Sequence, residues 1–191
     1  MQKRSDFIKK YWSYVAITLT LVLSYFTFGD NIEHGVTKNS ALYTHIAYIF
    51  VHANLFHLCT NVFSLLFTLR LLKKMANIKF YVSLTIGLIS AFASSFILMQ
   101  EIPTVGASGV VYALLGMYCY LRFDKLALRL LAMLIVINTF QFIFGNINVY
   151  IHLFSLIFGF IGVAIWDSYY VLKVIQDEKR KRNRTNRQKN K

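Results

Sequence analysis

Six stretches of apolar residues, most of them near the length that crosses a bilayer core, leave this chain few ways to fold. They fall at about 11–28, 54–72, 78–99, 107–121, 126–144 and 149–171. In hydrocarbon the backbone must satisfy its own polar groups, so each stretch reads as a helix. Composition agrees, with 57% hydrophobic and 15% charged residues, where soluble domains carry about a quarter charged. The expected fold is all-α, a polytopic membrane protein built as one six-helix bundle over 11–172. Residues 1–10 form a basic N-terminal segment, 29–51 an external loop, and 173–191 a basic tail. The segment MQKRSDFIKK and the apolar run after it resemble a signal peptide. That run is too long for one and no small-x-small cleavage site follows, so it reads as a retained first span.

A net charge of +13 raises the question of nucleic acid. Its distribution points elsewhere. Nine of the 21 basic residues lie at or beyond Lys173, and most of the others border apolar stretches. Lys3, Arg4, Lys9 and Lys10 precede the first span; Arg70, Lys73, Lys74 and Lys79 lie between the second and third; Arg122, Lys125 and Arg129 lie between the fourth and fifth. The opposite connections carry only Lys38. Basic loops stay in the cytoplasm, which places both termini there. The tail EKRKRNRTNRQKNK is expected to be disordered and to face anionic lipid, with no nucleic-acid partner. The external segment starts polar and becomes aromatic, as an interfacial, partly embedded loop would. Cys59 and Cys119 sit inside apolar stretches and imply neither a disulfide nor a zinc framework.

Polar groups at hydrocarbon depth are costly and each calls for a reason. No Asp or Glu lies at the middle of a span, which argues against a carboxylate relay. The residues that stand out are His52, His57, Asn61, Ser108, Tyr112 and His152. Counting from cytoplasmic anchors at about 1.5 Å per residue puts Ser108 roughly 21 Å, His57 about 20 Å and His152 about 22 Å above the inner boundary. Three helices thus bring polar side chains to one level, and Asn61 lies one turn below His57 on the same face. The fourth span is short and follows Pro103 and Gly106, so the connection into it must dip into the protein, where non-helical backbone lines a cavity. A water-accessible pocket open to the outside is expected.

Taken singly, these residues have plainer readings. GASG at a helix start is mostly a packing motif, a lone His152 is usually a satisfied core histidine, and Asn61 is interhelical glue. His52 and His57 as zinc ligands are disfavoured by a spacing that separates them by about 140° around a helix. Together, at one depth, they fit acyl transfer. Ser108 would be the nucleophile and His152 its general base, then the acid for the leaving amine. The Ser108 backbone N–H, His57 and Asn61 would stabilise the oxyanion. Tyr112 would pack against the imidazole. With no acid available, the pair would act as a dyad. Gly109, Ala113 and Gly116 on the fourth span, and Ser155, Gly159 and Gly162 on the sixth, would let those helices approach closely.

The combination of HANLFHLCTN, GASGVVYALLG and His152 with Gly159 resembles the rhomboid intramembrane serine proteases of the minimal six-helix bacterial type, over about 41–165. The resemblance implies a Ser108–His152 dyad and an oxyanion hole of His57, Asn61 and the Ser108 amide. It also implies Tyr112 under the histidine, with His52, Gly106, Gly109 and Gly159 as supporting positions. It implies cleavage of transmembrane segments near their outer ends, with no metal, nucleotide or other cofactor, in a bacterial cytoplasmic membrane. Tyr43-Thr44 stands where many members carry Trp-Arg, so the external loop is expected to be anchored differently. Ser155 replaces a more usual glycine, with a slightly wider helix contact expected. The alternative is a non-catalytic rhomboid-like protein that binds membrane proteins in quality control. A small transporter is disfavoured by the lack of an inverted repeat or charged midplane site.

Overall fold

The computed structural model describes residues 2–28, 32–37, 39–75, 80–97, 103–144 and 148–189, with side chains described for these except at 2–11, 74–75, 140–144 and 184–189. Within them the chain is helical. The elements are α1 (Gln2–Phe28), a 3-10 turn (Ile32–His34), α2 (Thr44–Ala47), α3 (Leu55–Met75), α4 (Phe80–Ser94), α5 (Ser108–Leu121), α6 (Lys125–Phe144) and α7 (Val149–Lys189). Among the described residues, one antiparallel bridge, Val36 to Thr104, is the sole β pairing outside named strands, and no strand is present. Leu55–Lys73 and Val149–Asn183 are long and apolar enough to cross a membrane; Trp12–Phe28, Phe80–Ser94 and Ser108–Leu121 are shorter apolar helices.

The bundle is organised around α5. Every residue from Gly109 to Cys119 is buried, as expected of a helix apolar on all sides. It packs most extensively on α7, then on α4 and α3, while α1 lies against α3 and α6 touches α7 lightly. At about 1.5 Å per residue its 14 residues make roughly 21 Å, well short of a bilayer core.

Small residues set the α5–α7 distance. A Cβ on Gly159 would collide with the backbone of Ala113, and one on Gly116 with the backbone of Leu156. Ser155, fully buried, is accommodated where a Cβ on Gly109 would lie 3.3 Å from its Oγ. Lipid offers no hydrophobic force between helices, so van der Waals contact at this spacing holds the pair together.

Three boundaries differ from the sequence reading. α4 ends at Ser94, short of 99, and Met99 lies outside the described residues. Serine hydroxyls bond back to carbonyls there: Ser94 Oγ donates to Ser90 O at 2.7 Å and Ser95 Oγ to Phe92 O at 2.6 Å. α1 starts at Gln2, although the side chains of Lys3, Arg4, Lys9 and Lys10 lie outside those described. In the tail, where disorder is expected, α7 continues to Lys189. Lys, Arg, Gln and Glu are good helix formers, and an existing helix extends without a new nucleation cost. From Tyr169 to Asn183 this extension is exposed, so the tail does not pack on the bundle there.

Among its described residues, the segment between α1 and α3 is a partly packed loop. Tyr48, Ile49, Val51 and His52 are buried, and the Val36–Thr104 bridge ties the loop to the strand-like entry into α5. Leu42, Tyr43 and Ile46 remain exposed, leaving an apolar outer rim. Gly159→Ala is expected to lower stability by about 1–3 kcal/mol through overpacking against backbone. Gly162→Ala, which meets the Ile86 Cγ2 methyl and no backbone, should cost less. Thermal unfolding in detergent compares the two.

Candidate active site

Ser108 is the first residue of α5, and Ala107 before it has no side-chain acceptor with which to cap the helix. The helix N-terminus therefore presents backbone N–H groups beside the serine hydroxyl. Gly106 makes the turn possible. Its φ is +110°, a conformation that glycine adopts without steric penalty. Its N–H donates to Tyr48 O at 2.8 Å, which fastens the turn to the loop before α3. A Cβ there would lie 2.7 Å from His57 Cε1, 2.9 Å from His57 Nε2 and 3.3 Å from Asn61 Nδ2. The expectation that this connection dips into the protein holds at Gly106 and Ala107, which are both buried.

Across the α5–α7 contact, Ser108 Oγ lies 2.8 Å from His152 Nε2. The Tyr112 ring, one turn along α5, stacks on the imidazole with centroids 4.3 Å apart and planes within 4°. His152 and Tyr112 are buried; Ser108 is half-buried.

On α3, Asn54 Oδ1 accepts the His57 N–H at 2.8 Å, a side-chain cap that starts the helix and places His57 in its first turn. The Ala53 N–H donates to His57 Nδ1 at 3.4 Å. That leaves Nδ1 without a proton, so Nε2 of the neutral ring carries it and faces Gly106. Asn61 donates one amide hydrogen to His57 O at 3.0 Å and keeps a second on the side facing Gly106. His57 Nε2 and Asn61 Nδ2 thus both lie beside Gly106, two residues before Ser108.

His52 is not on α3, so the sequence reading's angular argument against zinc does not apply. It lies in the loop before the helix, fully buried, with its ring edge-on to His57 at 5.4 Å. Burial first, and then the neighbouring His57, lower its pKa to about 4, so the packed ring is neutral. Its Nδ1–H donates to Phe50 O at 3.3 Å. Among the described residues no cluster of three His, Cys, Asp or Glu is arranged to hold a metal. Gly109 faces Tyr48, Ala91 and Ser155, and Gly159 faces Ala113; both serve the helix contact and not the reacting atoms.

One residue of this cluster is absent from the sequence reading. Asn138 of α6 bridges His152 and Tyr112, with Oδ1 3.1 Å from His152 Nδ1 and Nδ2 2.7 Å from the Tyr112 hydroxyl. A signal existed. Asn138 is 13 residues after Lys125, or about 20 Å at helical rise, the same level as Ser108.

Fold and contacts define a class: an integral membrane protein of packed helices in which a serine hydroxyl meets an imidazole next to a helix N-terminus. The family follows from comparison with known proteins. The Rhomboid domain model matches residues 39–168, and the chain belongs to the rhomboid family, whose members are intramembrane serine proteases with some inactive relatives. Curated proteins give no match to the chain.

Gly106→Ala is expected to combine backbone strain of about 1–3 kcal/mol with displacement of His57. Detergent unfolding should show a clear loss of stability. A Gly109→Ala protein, whose new methyl group would meet neighbours at 3.1–3.3 Å, should lose less.

Proposed function

We propose that this protein is an intramembrane serine endopeptidase that hydrolyses peptide bonds in or near transmembrane helices of other membrane proteins. The observation that carries the reading is the 2.8 Å Ser108 Oγ to His152 Nε2 contact on a stacked Tyr112 ring. His152 Nε2 takes the hydroxyl proton as Ser108 Oγ attacks the scissile carbonyl carbon. The oxyanion forms where the Ser108 N–H, His57 Nε2–H and Asn61 Nδ2–H converge. The C–N bond then breaks, His152 returns its proton to the leaving amine, and an acyl ester remains on Ser108. Water attacks this ester with His152 again as base, releasing the acid and restoring the serine. No group in this sequence requires a metal or cofactor.

The six helices α1, α3, α4, α5, α6 and α7 are taken as six spans with both termini in the cytoplasm of a bacterial cell. The site then lies near the extracytoplasmic side, because Ser108 is at the end of α5 remote from Arg122. A pocket open to that side would admit water. The exposed apolar residues Leu42, Tyr43 and Ile46 suit a loop resting in the interface. The basic extension of α7 would lie along anionic lipid headgroups. The non-catalytic reading keeps the scaffold but gives no use to the aligned Ser–His–Tyr cluster.

Co-expression with a reporter panel of transmembrane segments tests the proposal. The wild type should cut at least one, and Ser108→Ala and His152→Ala should cut none. Asn61→Ala should lower kcat by about 10²-fold or more, as loss of an oxyanion donor does elsewhere. Cleavage that persists in Ser108→Ala would exclude this serine as the nucleophile.

A further inference from the structure

We propose that Asn138 on α6 is a positioning residue for His152, so that the reacting group is a Ser108–His152–Asn138 array held by Tyr112. The inference rests on the reading of Ser108 as nucleophile and adds the group that selects the tautomer of its base.

The hydrogen bonds fix each atom in turn. The two ends of a carboxamide are told apart by their partners. One end of Asn138 lies 2.7 Å from Leu134 O on its own helix. A carbonyl oxygen only accepts, so that end is the NH2 group. The same nitrogen donates to the Tyr112 hydroxyl at 2.7 Å. The other end is then the amide oxygen, and it faces His152 Nδ1 at 3.1 Å. An amide oxygen cannot donate, so Nδ1 carries the hydrogen. A neutral imidazole has one N–H, which leaves Nε2 bare, with its lone pair toward Ser108 Oγ at 2.8 Å. That is the tautomer a general base requires.

Tyr112 locks the arrangement from two directions. Its ring holds the imidazole plane by stacking, and its hydroxyl accepts the Asn138 amide hydrogen. The helices around the site offer no stronger acceptor: α3, α4, α5 and α6 contain no Asp or Glu, and in α7 none precedes Asp167. A neutral amide orients the imidazole, and supports the imidazolium formed in the reaction, without the desolvation of a buried carboxylate. α6 otherwise presents much of its surface outward, with Leu128, Met133, Ile135 and Val136 exposed. Asn138 is its polar link to the site.

The test uses the full chain in detergent micelles, labelled with 15N-histidine, with the His152 signals identified by their loss in His152→Gln. In the wild type, 15N chemical shifts should report a protonated Nδ1 and a bare Nε2. In Asn138→Leu, which keeps volume and removes the acceptor, that preference should be lost. Cleavage of a solubilised transmembrane substrate should show kcat reduced by about 10- to 100-fold with KM little changed, short of the ~10⁴ lost when a triad carboxylate is removed. Asn138→Asp retains an acceptor and should recover much of the rate. Tyr112→Phe keeps the stacked ring but frees the amide, and should cost about fivefold, the worth of one neutral hydrogen bond. An unchanged His152 tautomer in Asn138→Leu overturns the proposal whether or not the protein cleaves. If Asn138→Leu fails to fold, an unchanged His152 tautomer in Asn138→Ala overturns it instead. Equal kcat losses in the Leu and Asp proteins would reduce Asn138 to a packing role. A wild type that holds the Nδ1–H tautomer but cleaves nothing counts against the protease reading and leaves the positioning contact standing.

Discussion

The close approach of α5 and α7 is the constraint on which the rest depends. Ser108 and His152 are 44 residues apart in sequence and meet at 2.8 Å. They do so because Gly159 lies against the Ala113 backbone and Gly116 against the Leu156 backbone. A single methyl group at either glycine would push the helices apart by more than a hydrogen bond tolerates. Lipid does not drive helices together as water does, so the fit of small residues has to do this. Packing and chemistry are therefore coupled in one contact.

The opposite wall comes from the loop before α3. Tyr43 points outward and is exposed, while Thr44 and His45 are buried. His45 stacks on Phe96 with centroids 4.0 Å apart and shares a 2.8 Å hydrogen bond between its Nδ1 and Ser95 Oγ. The loop is thus fastened to the end of α4 by an imidazole. Further in, the Tyr48 hydroxyl donates to Ala91 O at 3.0 Å, and Tyr48 O accepts the Gly106 N–H. The turn that aims Ser108 is held by this chain of contacts, from α4 through the loop to the N-terminus of α5.

Much of this is legible in the sequence because the bilayer makes polar residues conspicuous. The depth of Ser108, His57 and His152 follows from helical rise alone, and Gly106 and Gly159 announce a turn and a close contact. Element ends are less legible. α4 stops at Ser94, and Ser95 just beyond it is held by His45 from a loop 50 residues away, a contact that local sequence does not carry. The helical tail escapes a reading that equates charge with disorder, since helix propensity does not require packing. Asn138 shows a different limit. Its depth is readable, but which helix face it occupies relative to His152 depends on the rotation of α6, and spacing within one span does not carry that. The role of His45 likewise exists only once Phe96 and Ser95 are brought beside it.

The central claim is that Ser108 is activated by His152 inside the helical bundle. Labelling with a serine-directed fluorophosphonate at neutral pH, followed by mass spectrometry of the modified peptide, tests it most directly. The account predicts one phosphonylated residue, Ser108, with labelling abolished in Ser108→Ala and strongly slowed in His152→Ala. A folded wild type that stays unlabelled, or one that labels equally well without His152, would contradict it.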